Sequence, residues 1–106
     1  MPKYLWKVSY TAEGAKGVLK EGGSSRRDMV AAMAKGMGGS MDAFYFAFGE
    51  DDVYVIADAP DNATAASISM SVAAGGAASI ETVVLLSPEE IDEAAKKSVP
   101  YRRPGE

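Results

Sequence analysis

Four segments of this chain alternate with the period of a pleated strand, and most of them carry apolar side chains on both faces. In Lys3–Tyr10, Tyr4, Trp6, Val8 and Tyr10 point one way and Leu5, Lys7 and Ser9 the other. Residues 41–48 set Phe44, Phe46 and Phe48 against Ala43, Tyr45 and Ala47. Residues 52–59 set Val53 and Val55 against Tyr54 and Ile56, and residues 78–86 are dominated by Val83, Val84, Leu85 and Leu86. A period of two in β-branched and aromatic residues predicts strands. A sheet that keeps one face in water shows polar residues at every second position. This one does not, so both of its faces need cover.

Between the strands lie helical signals. Thr11 caps a helix through Ala15, Val18 and Leu19, with Glu13 in its first turn where the macrodipole favours an acid. Gly22 and Gly23 interrupt it, and Ser24 or Ser25 restarts a helix whose Met29, Val30, Met33 and Met37 share one stripe. The two pieces read as one kinked connection over one sheet face. Gly49, Glu50 and Asp51 make a short turn that returns the next strand as a hairpin. Asn62–Ala74 reads as a helix of small side chains. Ser87, Pro88 and Glu90 form a capping box that opens a last helix, with Lys96 and Lys97 at its end. The order β-α-β-β-α-β-α predicts an α+β fold: a ferredoxin-like βαββαβ antiparallel sheet with an extra C-terminal helix. The first strand is expected between the third and fourth. A single domain is expected over residues 1–98, with an extended tail at 99–106.

Composition narrows the chemistry. The 106 residues include no Cys and no His, which removes structural zinc, thiol nucleophiles, haem ligated by either residue, and Ser-His-Asp catalysis. No cofactor or metal is implied. A net charge of −4 argues against nucleic acid as a partner. Charges interrupt the N-terminus before any signal-like apolar core, and no apolar run approaches the roughly 20 residues that span a bilayer. Together with the missing Cys, these features lead us to expect a cytoplasmic protein without a membrane partner.

With the helices on one face, the other carries Leu5, Ala43, Tyr45, Ala47, Tyr54, Ile56, Val83 and Leu85. Such a patch is rare on a monomer, so a homodimer or higher homo-oligomer formed through this face is expected. The same face holds Lys7 on the central strand, with Asp58 and Glu81 on its expected neighbours. Two readings stand: an ion-pair cluster that fixes register in the oligomer, or a ligand pocket in which Lys7, Tyr45, Tyr54, Asp58 and Glu81 take part.

The stretch Lys3-Tyr4-Leu5-Trp6-Lys7-Val8-Ser9-Tyr10-Thr11-Ala12-Glu13-Gly14 resembles the start of GYD-domain proteins, as do residues 49–55, Ala59-Pro60-Asp61 and Glu81-Thr82-Val83. The likeness runs to about Ser98. It implies a dimeric α+β barrel, of the type shared with stress-responsive barrels and small monooxygenases, in a family of bacterial proteins without an assigned activity. Gly49 and Asp52 match the outer positions of the Gly-Tyr-Asp signature with an extra residue between them. Asp51 stands where an aromatic is expected.

Three further features carry chemistry. Ser24, Ser25, Arg26 and Arg27 at a helix start suit either capping with solvated arginines or an anion. Trp6, the sole tryptophan, suits the core or a cavity for an aromatic molecule. Glu50, Asp51 and Asp52 read as a solvated turn, since consecutive acids lack ligand geometry for a hard cation. Two functions follow as expectations. One is a homo-oligomeric barrel that binds a small molecule or acts as an accessory or regulatory module. The other is a cofactor-independent oxygenase or isomerase of a small aromatic, with Lys7, Tyr45, Tyr54 and Trp6 around one cavity.

Overall fold

The computed structural model describes all residues, Met1–Glu106. Its elements run β1 (Lys3–Tyr10), α1 (Ala12–Glu21), α2 (Gly23–Gly36), β2 (Ser40–Phe46), β3 (Val53–Asp58), α3 (Asn62–Ala74), β4 (Ala78–Leu85) and α4 (Pro88–Ala95). The four strands form one antiparallel sheet in the order β2-β3-β1-β4. β1 therefore lies between the third and fourth strands, as expected for the ferredoxin-like pattern.

Side-chain capping starts three of the helices. Thr11 accepts from the Gly14 amide, Asp61 from the Thr64 amide, and Ser87 with Glu90 forms a reciprocal capping box. α2 differs from expectation: neither Ser24 nor Ser25 caps it. It begins at Gly23 behind Gly22, whose φ of 91° is open to glycine and turns the chain sharply enough to split the connection into two helices. Gly14 is fixed by packing, because a Cβ there would stand 2.0 Å from the Ala77 carbonyl oxygen.

The core lies between the helices and one face of the sheet. Tyr4, Trp6, Val53, Val55, Ala57, Ala59 and Ala65 are buried together, and Val8, Val30, Met41, Phe44, Ile68 and Ile80 pack around them. Burying each of the larger members stabilises by roughly 1.5–3 kcal/mol. A bulge between Met41 and Ala43 lets Met41 join this face opposite Ala57 while Ala43 faces away opposite Ile56. Phe48, which strand parity assigns to the helix face, is fully exposed. β2 ends at Phe46, opposite Val53, and the connection occupies residues 47–52, closed by Ala47 N–H donating to the Asp52 carbonyl at 2.8 Å.

α4 stands apart. Every residue from 88 to 106 is exposed, and all of the hydrogen bonds of this segment are local. The chain accordingly measures 55 × 34 × 23 Å with a radius of gyration of 16.8 Å, against about 13 Å for a compact domain of this size. No helix is long and apolar enough to cross a membrane.

Candidate functional site

The two faces of the sheet offer different sites. On the helix-free face the strand register sorts side chains into three rows. Ala43, Ile56, Leu5 and Val83 form the middle row, one residue from each strand. On one side of it lie Tyr45, Tyr54, Lys7 and Glu81, and on the other Ser40, Asp58, Lys3 and Leu85. An apolar band thus runs across the sheet between two polar ones, and Tyr45 is 71% exposed.

Lys7 gathers one of the two carboxylates expected of it, Glu81, and not the other, Asp58. Its Nζ stands 3.6 Å from Glu81 Oε2 and 3.7 Å from Asp51 Oδ2. Both acids raise its pKa above the ordinary lysine value, Glu81 the more. Asp58 belongs to the opposite polar row, because antiparallel pairing sets it against Lys3 while Lys7 faces Tyr54. Lys3 bridges Asp42 and Asp58, with Asp58 Oδ1 at 3.0 Å. Hydrogen bonding to these two raises the Lys3 pKa, and the Lys3 hydrogen bond holds Asp58 below the usual carboxylate range, with Ser40 assisting.

The acidic turn is structural rather than merely solvated. Asp52 Oδ2 accepts from the Tyr10 amide at 2.7 Å, and the Asp52 amide donates to the Val8 carbonyl at 2.8 Å. Ser9 Oγ donates to Asp51 Oδ1 at 3.1 Å. β1 continues beyond the start of β3, so the Asp52 carboxylate satisfies an amide that the ladder would leave open.

Trp6 lies on the opposite face from Lys7, Tyr45, Tyr54 and Glu81, so no single cavity unites them; of the expected set only Asp58, at the end of β3, borders the same cavity as Trp6. α2 packs over β2 and α3 over β4. Between these helices, above the central strands, lies a cavity of about 330 Å³. Trp6, Val8 and Phe44 form part of its floor, Met29, Val30 and Met33 the α2 wall, and Ile68 and Val72 the α3 wall. Trp6 Nε1 donates to Ser69 Oγ at 3.1 Å, which leaves the indole ring as an apolar surface. Small residues border the space at and beyond the end of α3: Ser71, Gly75, Ala77 and Ala78.

The anion candidates divide. Arg26 lines the cavity, is half-buried, and has no ion-pair partner. Arg27 pairs with Asp28 at 3.1 Å and Ser25 Oγ donates to Glu21 at 3.3 Å, both on the surface. Ser24 and Arg27 border a shallow hollow beside Phe44 and Phe46. Its place in the chain groups Arg26 with the serines of the helix start. A sharper signal was present, since Arg26 extends the Met29, Val30, Met33 stripe at i, i+3, i+4, i+7 and must share its face.

The GYD domain family model matches residues 4–95. No curated protein and no solved structure matches the chain.

Proposed function

The chain belongs to the GYD-domain family, and we propose that it is a self-associating binding protein for a small apolar molecule bearing one anionic group. The observation that carries this reading is the cavity between α2, α3 and the sheet. Of its 23 lining residues, 18 are hydrophobic and two are charged: Asp58, which pairs with Lys3, and Arg26, which has no ion-pair partner. Ligand sites are commonly apolar clefts of roughly 300–1,000 Å³ with a few placed polar groups. A volume of about 330 Å³ suits a small ligand such as a one- or two-ring aromatic acid or a short-chain carboxylic acid. The apolar body would rest on Trp6, Phe44 and the methionines of α2, whose flexible thioethers adapt to shape. The carboxylate would meet Arg26.

Binding is favoured over catalysis by the chemistry of the lining. The Lys7, Glu81 and Asp51 group, which offers the more obvious acid–base set, lies on the other face of the sheet. That helix-free face serves self-association in this reading, as its band of Leu5, Ile56, Val83 and Ala43 needs cover.

Trp6 makes the test direct, because the sole tryptophan reports on the cavity. Titration with small aromatic and aliphatic carboxylates is expected to shift its emission saturably, at one ligand per chain. Val72→Phe, which fills the cavity from α3, should abolish that shift while leaving the far-ultraviolet circular dichroism unchanged. Emission that no carboxylate perturbs, or an equal response in the filled variant, would refute the reading.

A further inference from the structure

We propose that residues 86–106 form an exchanged arm: in a two-fold dimer, α4 and the segment after it lie on the second copy and complete an interface that the sheet face alone leaves too small. The proposal rests on the self-association read above and adds what holds it.

An eight-residue helix is marginal in water even with good capping, since nucleation costs more than so few hydrogen bonds return. α4 has eight residues and packs on nothing in its own chain. Its Ile91, Ala94 and Ala95 share one side, and Leu86, Ile91, Val99 and Tyr101 are each more than half exposed. A helix and four large apolar side chains held clear of their own core need another surface.

Area identifies that surface as a second copy. Four strands spaced about 4.8 Å apart, each some seven residues at about 3.3 Å, present a flat footprint of roughly 450 Å². A stable interface buries about 800 Å² per partner. Side-chain relief makes the accessible area of the face larger than its footprint, yet sheet against sheet alone gives a small contact. The arm, whose residues 88–106 are all exposed, enlarges it.

Charge gives the direction. The arm's five acids lie in α4 and at Glu106, which pairs with Arg103 at 2.8 Å, so its free cations Lys96, Lys97 and Arg102 form a basic segment after α4, whereas residues 1–86 carry seven cations and ten acids. Three of those acids, Glu50, Asp51 and Asp52, lie in the connection beside the Ser9 end of β1, and β4 delivers the arm from the Lys3 end. A two-fold axis in the plane between the sheets and across the strands lays the Lys3 end of one copy over the Ser9 end of the other. It sets each apolar middle row on its counterpart and brings the basic segment of each arm to the partner's acidic turn.

Sedimentation equilibrium on the full-length chain and on Ile91→Glu/Tyr101→Glu tests this, with circular dichroism as the folding control. The parent is expected to dimerise and the arm variant to bind itself at least about tenfold more weakly. Lys96→Glu/Lys97→Glu should weaken the dimer as well, and adding Glu50→Lys should restore part of the loss. A parent that stays monomeric at roughly 100 µM, the weak end of specific association, would overturn self-association itself. A dimer indifferent to the arm substitutions would overturn only the exchanged arm.

Discussion

Trp6 and Ser69 are joined by a hydrogen bond of 3.1 Å from the indole Nε1 to the serine Oγ, and Ser69 also meets the hydroxyl of Thr82. The floor of the cavity is thereby fixed to its α3 wall. Trp6 is 4% exposed, so its N–H has no water to turn to if the serine is lost. Leaving such a donor unpaired costs about 1–3 kcal/mol. Ser69→Ala is therefore expected to lower stability by that amount in urea unfolding followed at 222 nm. An unchanged midpoint would show that the hydrogen bond contributes nothing to holding the cavity.

Arg26 gives a prediction about selectivity. Hydrogen bonds to charged groups contribute roughly 1.5–3 kcal/mol, so Arg26→Gln should weaken a bound carboxylate by about tenfold to a hundredfold. The methyl ester of the same compound should bind parent and variant alike. Loss of both ligands together would mean that Arg26 shapes the cavity rather than reading charge, and calorimetry on the acid and ester pair separates these outcomes.

How far the sequence could be read depended on the range of the interaction. Parity along a strand is local, and it assigned Tyr4, Trp6 and Val8 to one face and Leu5, Lys7 and Tyr54 to the other, as the structure has them. Caps are local as well, and Thr11 and Ser87 took the roles that their side chains predict. Register between β1 and β3 is not local, because a helical crossover separates them. Lys7 was accordingly matched with Asp58, whereas pairing gives Asp58 to Lys3 and brings Asp51 in from a loop longer than expected. The cavity depends on how far apart α2 and α3 sit, which no single segment encodes. Its trace in the sequence is indirect: small residues at Ser71, Gly75, Ala77 and Ala78, and an arginine on a methionine stripe.

The Lys3 cluster links stability to pH at both extremes. Asp58 has its pKa lowered by the Lys3 hydrogen bond. Its contribution is present above the unfolded carboxylate value of about 3.9 and is lost as pH falls through the lower folded value. Lys3 has its pKa raised by Asp42 and Asp58. Its contribution is complete below about 10.4 and is lost as pH rises through the higher folded value. Melting temperature should thus be flat between these limits and fall at both ends. Lys3→Met should reduce both falls while leaving a residual alkaline one from Lys7, whose pKa Glu81 raises independently. The groups are solvent-screened, so the amplitudes will be small. A variant whose curve overlays the parent's at both ends would separate the cluster from pH-dependent stability.

Ile56 is the most direct test of the sheet face. It sits in the apolar middle row, opposite Ala43 on β2 and Leu5 on β1, and points away from every helix. Within one chain, Ile56→Glu removes only part of a half-exposed side chain and should change stability little. Across a sheet-to-sheet contact, the same substitution buries a carboxylate against its symmetry mate, with no cation in the row to meet it. An unpaired charge in such a place costs several kcal/mol, more than a dimer of moderate affinity can absorb. Ile56→Glu is therefore expected to sediment as a folded monomer at concentrations where the parent is a dimer. Its Trp6 emission should remain that of the parent, because the cavity lies on the other side of the sheet. A variant that stays dimeric would place the contact elsewhere on the molecule. One that loses its ligand response together with its dimer would instead couple the two faces through the central strands.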